Sequence, residues 1–401
     1  MEMDARALPH DGRLDADLCI IGGGAAGITL AHELAGRDID VLLLESGGTG
    51  PNPDCQELNE GRVVGDDYAG LRATRHRALG GTIRLWNTPV LGEPGAKYAP
   101  LDAADFRDRT LDRIGGWPFD HAHLEPFYRR VQQLCGLGAF AYDAEHWPDR
   151  ATRPLPMDGH RITTRIYQFG GAHVFTDRNV ATLHNADNVR VCTHATVSGL
   201  EVQNGRVTAA RVLDPRGRPA RVVAATFVLA AGAIENARLL LLSLDPATPA
   251  RAHGWIGRCF MEHPRDHALT LIPRSPTLFR DAAFYDLHAA ADGTMVAGRF
   301  ALTERTLEED GIPNASVTLL PRRRRRSRVS RLRERFGGHR APQRAGYGWS
   351  TLDDPAALFD AFQLIVNVEQ RPHPENRVLL GARRDRLGLP EPELHWRWRD
   401  G

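Results

Sequence analysis

Apolar residues fall into runs of different character along the chain. Asp17–Ile21 and Ile39–Leu44 are short and almost continuously apolar, the pattern of strands buried on both faces of a parallel sheet. Between them, Ala25–Ala35 carries apolar positions at helical spacing. A similar pair stands at Phe227–Ala231, which ends in Gly232, and at Ala233–Ser243, which reads as a helix. Residues 188–231 otherwise break into short β-rich runs, parted by turn chemistry at Asn204–Gly205 and at Asp214–Pro215 with Gly217. Leu101–Gly138 reads as mainly helical, and Leu124, Phe127, Tyr128, Val131 and Leu134 recur at a spacing that predicts a core-facing stripe. From about residue 264 onward, alternating segments such as Ala268–Pro273 and Phe362–Gln370 suit an antiparallel sheet.

The first strand–helix–strand unit carries specific chemistry. Gly22, Gly24 and Gly27 stand in G-x-G-x-x-G spacing between strand and helix, and Glu45 closes the second strand 23 positions after Gly22. Gly22 permits a tight turn, Gly24 lets backbone approach a pyrophosphate, and Gly27 lets the helix pack on the strands. The helix N-terminus offers free N–H groups and a positive dipole end. Glu45 can accept hydrogen bonds from both adenosine ribose hydroxyls and would repel a 2′-phosphate, which argues against NADP. A bare glycine triplet is weak evidence; strand, glycines, helix, strand and acid in register make a dinucleotide site. No second such fingerprint occurs.

Composition narrows the rest. The 401 residues suggest two domains, and 42% hydrophobic with 25% charged residues is the balance of a soluble globular protein. A net charge of +1 gives no general attraction to nucleic acid or acidic membranes, and Lys97 is the only lysine. Cys19, Cys55, Cys135, Cys192 and Cys259 include no C-x-x-C pair, so neither structural zinc nor a disulfide framework is expected and a reducing cytoplasm fits. The N-terminus has no apolar signal region, and no run of 18 apolar residues predicts a membrane span. The arginine run 322–326 reads as a solvated loop or exposed helix.

Several separated segments resemble the glucose–methanol–choline (GMC) flavin oxidoreductases, in their bacterial sugar and alcohol dehydrogenase branch. They are the opening unit with its ESGG ending; LGGTIRLWN with PLDAADFRDRT and GWPFDHAHLEPFYRR; and NVRVCTHATVSGL, FVLAAGAIENARLLLLS and IGRCFMEHP. A weaker match is EQRPHPENRVLL with DRLGLPEPELHWRW. The resemblance implies FAD as the bound dinucleotide. It places Gly22, Gly24, Ala25, Ala26 and Gly27 at the pyrophosphate and Glu45 at the ribose. It sets Gly80, Gly81 and Thr82 against the flavin end, Val197 against the adenine through its main chain, and Ala231 and Gly232 over the same half of the cofactor.

The implied fold is α/β, an FAD/NAD(P)-binding domain of the glutathione-reductase type with a second α+β substrate domain containing an antiparallel sheet. The expected division is 1–262 for a discontinuous FAD domain with a helical insertion around 83–187, and 263–401 for the substrate domain, with the C-terminal completion of the FAD domain absent. The implied activity is oxidation of an alcohol or sugar carbon by hydride transfer to flavin N5, with oxygen, a quinone or a cytochrome as electron acceptor. Leu85 and Trp86 follow the Gly80–Gly81–Thr82 loop, so no covalent histidyl–flavin bond is expected there. His263 reads as a structural hydrogen-bonding residue, and His76 and His173 as surface or core-satisfied ones. None of the 17 histidines stands in the family's catalytic motif. A truncated, non-catalytic flavin-binding relative, or a fragment needing a separate C-terminal half, is therefore the alternative, whereas a flavin monooxygenase or NAD-linked reductase is disfavoured by the single fingerprint.

Overall fold

The structure, a computed structural model, describes residues 1–106, 116–147, 152–324 and 347–398. They form two compact units that alternate along the chain. Met1–Asn87 carries strands β1 (Glu2–Asp4), β2 (Gly12–Ile21), β3 (Val41–Leu44) and β4 (Arg62–Gly65), with helices α1 (Ala25–Leu34) and α2 (Pro53–Glu57). Thr88–Gly171 carries β5 (Thr88–Val90), β6 (Glu93–Tyr98), α3 (His121–Leu134) and β7 (Ile162–Gly171). Ala172–Met261 returns to the first unit with α4 (Asn179–Asn185), β8 (Val189–Thr193), β9 (Thr196–Gln203), β10 (Arg206–Leu213), β11 (Pro219–Leu229) and α5 (Ala233–Ser243). Glu262–Arg371 adds β12 (Arg265–Asp266), β13 (Thr270–Leu271), β14 (His288–Ala289), β15 (Met295–Leu302), β16 (Ala315–Arg323) and β17 (Phe359–Val368) to the second unit. Pro372–Gly401 closes the first with β18 (Arg377–Arg384) and β19 (Pro390–Trp396).

The first unit is built on a seven-stranded sheet of order β1-β8-β3-β2-β11-β10-β9. Strands β1 to β11 of that order run parallel, and β10 and β9 finish it as antiparallel hairpins. Every residue of β3 is buried, as expected for an apolar strand covered on both faces. Ile21, Leu42, Leu44, Val222 and Leu239 lie in one core cluster, each contributing about 2 kcal/mol of burial. Strand β2 begins five residues before the apolar run, because its alternating half Gly12–Ala16 pairs with Ala220–Ala224 of β11. The Asn204–Gly205 turn joins β9 to β10 with both residues at positive φ, 49° and 74°.

A small sheet of order β18-β19-β4, in which β19 runs parallel to β4, ties residues 377–396 to Arg62–Gly65. Those pairings place the last segment in the first unit, and 88–171 falls in the second. The compact units thus change over at 87/88, 171/172 and 371/372 as well as at 261/262.

The second unit is an antiparallel nine-stranded sheet, whose main path is β12-β17-β16-β15-β7-β6-β5. Phe279, Phe284, Tyr285, Trp349 and Phe362 form its largest core. Two expectations are corrected here. On α3, Phe127 is 52% exposed and Val131 38%, while the buried position is Gln132. The helix turns a polar side chain inward because Gln132 Nε2 donates to Gln168 Oε1 at 2.8 Å and to the Gly138 carbonyl at 3.0 Å. Arg322 and Arg323, expected in a loop or helix, end β16 opposite Ala361 and Phe359; the rest of that run, from 325, lies outside the described residues. Among the described residues no helix is long and apolar enough to cross a membrane.

Candidate active site

The parallel register brings three separated segments of the first unit to one end of its sheet. Ile21 stands beside Leu44 on one side and Leu229 on the other, so Gly22, Glu45 and Ala230–Gly232 leave the sheet together at its carboxyl edge. Open α/β sheets bind ligands at that edge, where strands on the two sides of a central one diverge. Gly22 has φ of 111°, and a Cβ there would meet the Ala230 carbonyl oxygen at 2.6 Å. A Cβ on Gly27 would stand 1.9 Å from the Gly22 carbonyl oxygen, so α1 comes as close to the loop as a glycine allows.

Gly24 is different. It precedes α1 in extended conformation, and a Cβ built on it meets nothing within 4 Å. Open space therefore faces the first turn, where the N–H groups of Ala25, Ala26 and Gly27 have no carbonyl one turn back. That is a cradle for an anion, supplied by backbone and a helix dipole. The Gly80–Gly81–Thr82 loop borders the same cradle: Gly80 N–H donates to the Gly23 carbonyl at 2.8 Å, and a Cβ on Gly81 would lie 2.9 Å from Gly24 Cα. Gly80 and Gly81 hold φ of 98° and 59°, while Thr82 is exposed.

Glu45 is 6% exposed. Its Oε2 accepts from Gly23 N–H at 2.9 Å and its Oε1 from Gly47 N–H at 2.7 Å. Each oxygen keeps acceptor capacity for a hydroxyl. The Ala195 N–H donates to the Glu45 carbonyl, which brings the start of β9, including Val197, to this end of the sheet. Ala231 Cα would be 2.7 Å from a Gly22 Cβ, and Gly232, at φ of 83°, opens α5 with free space beside it. The twelve expected residues thus gather around one edge, with Thr82 and Val197 at its margins. A pyrophosphate over Gly24 and a diol at Glu45 match the donors and acceptors present.

A buried charge network was missed in the sequence. Glu235 on α5 pairs with Arg75, lies 3.2 Å from Arg77 Nη2 and 3.4 Å from Arg238 Nη1; Arg238 in turn reaches Asp385 at 2.7 Å. Burial would raise the Glu235 carboxyl, but Arg77, Arg75 and Arg238 outweigh it and hold the group near about 2. Arg77 also donates to Ser46 Oγ at 2.9 Å, next to Glu45, so the network braces the end of β3. The spacing Arg75-x-Arg77 before Leu79–Gly80 and the acid three residues past Gly232 were its only traces.

The histidines fare variously. His173 is exposed, and His76 is half-buried with Nδ1 unpartnered. His263, expected as a hydrogen-bonding structural residue, is exposed and makes no side-chain hydrogen bond among the described residues, because its segment lies at the rim of the second unit's sheet. Among the described residues no group of three or more His, Cys, Asp or Glu could hold a metal ion.

The family model for FAD dependent oxidoreductases matches residues 17–382, and the chain belongs to that family. Its cofactor is FAD, and its fold is an FAD/NAD(P)-binding α/β unit with a second unit containing an antiparallel sheet. Among curated proteins the chain is similar to the fructose dehydrogenase large subunit of Gluconobacter japonicus, 25% identical over 63% of this chain and 59% of that protein. It is also similar to the 6'''-hydroxyparomomycin C oxidase of Streptomyces lividus, 26% identical over 58% of this chain and 51% of that one. The chain spans between half and three-fifths of the length of these two relatives. Among solved structures it is similar to pyridoxine 4-oxidase from Mesorbium loti, with a TM-score of 0.48, 18% identity, and coverage of 91% of this chain and 73% of that one.

Proposed function

We propose that this chain is the flavin-binding part of an oxidoreductase of the glucose–methanol–choline type, acting on CH–OH groups of an alcohol or sugar. The observation that carries the reading is the cradle itself: open space over Gly24 at the start of α1, walled by Gly80–Gly81 and faced by Glu45 and Ala231–Gly232. When bound, FAD supplies the acceptor for two electrons from the substrate carbon. In this reading Gly24, Ala25, Ala26 and Gly27 hold the pyrophosphate through N–H groups, and Glu45 orients the adenosine ribose. Gly80, Gly81 and Thr82 keep bulk away from the flavin end, Val197 meets the adenine through its main chain, and Ala231 and Gly232 close over the same half. The network around Glu235 keeps the Ser46 end of β3 in register with the cradle. The similarity to a fructose dehydrogenase subunit and an aminoglycoside oxidase supports a hydroxyl-bearing substrate. The five cysteines are free thiols, in keeping with a reducing compartment.

The test is cofactor loading. A Gly24→Val chain should fold, since a Cβ there meets no protein atom within 4 Å, yet come off purification without flavin absorbance because the side chain fills the phosphate's place. A yellow Gly24→Val protein with wild-type flavin content would overturn the assignment.

A further inference from the structure

One face of the second unit's sheet gathers polar and cationic side chains from five strands. Ala297 pairs with Tyr167, Phe169 with Lys97, Ala301 with Ser316, and Ser316 with Asn367. Opposed residues of antiparallel strands share a face, and alternate residues along one strand do too. Lys97, Tyr167, Arg299, Ser316 and Asn367 therefore project together. One step beyond the Phe300–Val317 pair, the register also sets Thr318 beside Arg299.

Tyr167 is the centre of this face. Lys97 Nζ stands 4.3 Å and the Arg299 guanidinium carbon 4.6 Å from its ring centroid, and its hydroxyl lies 3.1 Å from Ser316 Oγ. Neither cation has a carboxylate partner among the described residues. Arg165, opposite Arg299, is the one that engages the nearby acids, Asp102 at 3.4 Å and Asp143. Burial lowers the Lys97 ammonium below the ordinary lysine value, and the positive charges of Arg265 and Arg299 add to that. Burial would raise the Tyr167 phenol, yet Lys97 and Arg299 outweigh it and hold it below its ordinary value.

The face also carries polar atoms with nothing to bind. Arg299 Nε, Thr318 Oγ1 and Asn367 Nδ2 are buried without a hydrogen-bond partner, and Thr318 is only 4% exposed. Buried donors are normally satisfied, and three orphans on one face beside two cations without a carboxylate partner describe a missing acceptor of negative charge. Lys97 and Arg299 are themselves half-buried, so such a group can reach them.

We propose that this face binds an oxyanion, a carboxylate or phosphate group carried by the donor substrate, with Lys97 and Arg299 supplying charge and Tyr167, Thr318 and Asn367 supplying hydrogen bonds. Its attribution to the donor substrate rests on the oxidoreductase reading above; the binding itself does not.

Calorimetric titration of the full chain with acetate and, separately, inorganic phosphate at low chloride tests it. One of the two should bind saturably, with glycerol giving no heat. Lys97→Gln and Arg299→Gln should each weaken that binding by about tenfold or more, while Lys97→Arg restores most of it. An acetate preference assigns a hydroxy acid as donor and a phosphate preference a phosphorylated alcohol. A wild-type chain that binds neither anion overturns the proposal even if the Gln variants fail to fold, and so do Gln variants that bind as tightly as wild type. Flavin absorbance of the same samples separates the two readings: anion binding without flavin keeps this site and removes the oxidoreductase assignment, and flavin without anion binding does the reverse.

Discussion

The proposed cofactor cradle of the first unit and the proposed anion-binding face of the second are made of opposite materials. The cradle is built from backbone and from side chains that are absent: Gly22 and Gly27 because a Cβ would strike carbonyl oxygens, Gly24 because its space faces outward. The face around Tyr167 is built from side chains that long-range strand register brings together, from residues 97, 167, 299, 316 and 367. A backbone site forces residue types at fixed local spacing, so it tolerates almost no substitution. A side-chain face tolerates many, each at modest cost.

The largest expected effect therefore sits at Gly27. Helix propensity alone makes Gly27→Val mildly favourable inside α1, since valine loses less backbone entropy than glycine. Packing opposes it: the first added carbon stands 1.9 Å from the Gly22 carbonyl oxygen, and two methyls follow. The overlap should win, costing more than about 4 kcal/mol, a large share of a domain's stability. Urea unfolding or soluble yield measures it. Beside Gly24→Val, which should lose flavin and keep the fold, this separates a glycine kept for packing from one kept for a ligand. A stable Gly27→Val chain would erase that distinction.

Glu235→Gln should come next, at about 3 kcal/mol, because it leaves Arg75, Arg77 and Arg238 facing one another with a single remaining acid, Asp385. The sign with pH follows from the lowered carboxyl. Its stabilisation is complete above the ordinary glutamate value of 4.5 and is lost as pH falls through about 2. The stability gap between wild type and Glu235→Gln in urea should thus be widest at pH 6 and shrink steadily below pH 4.5. A gap that stays constant down to pH 2.5 would show that Glu235 is not held ionised by these arginines.

What could be read in advance follows the same division. Gly22, Gly24, Gly27 and Glu45 were legible because turn, close approach and helix packing each demand a residue type at a set distance. The antiparallel character of the second sheet was legible from alternation, as in Phe362–Gln370, most of which lies in β17. The stripe on α3 misled, since helical periodicity reports a shared face and not which face is covered; Gln132 is buried through hydrogen bonds that periodicity does not weigh. The Glu235 network and the Tyr167 face were illegible for a different reason. Their members are 160 residues apart in the case of Arg75 and Glu235, and 149 in the case of Tyr167 and Ser316, and no local rule links them.

The smallest effect tests the second region at its hinge between structure and ligand. Ser316→Ala removes the hydroxyl 3.1 Å from the Tyr167 oxygen and leaves the strand pairing with Ala301 and Asn367 untouched. Losing one buried neutral hydrogen bond costs about 1 kcal/mol, well under the Gly27 or Glu235 changes. The spectroscopic consequence is clearer than the thermal one. The Ser316 hydrogen bond is among the influences that lower the Tyr167 phenol, behind Lys97 and Arg299. Ultraviolet titration at alkaline pH, with Tyr167→Phe subtracted to isolate this residue, should place Tyr167 below the other tyrosines in wild type and shift it upward in Ser316→Ala. Lys97→Gln should shift it further, because charge outweighs a single hydroxyl at this oxygen. If Tyr167 titrates with the bulk tyrosines and neither change moves it, its two cations do not share its ring, and the face would resemble the solvated side of an ordinary sheet more than the counterpart of the glycine cradle.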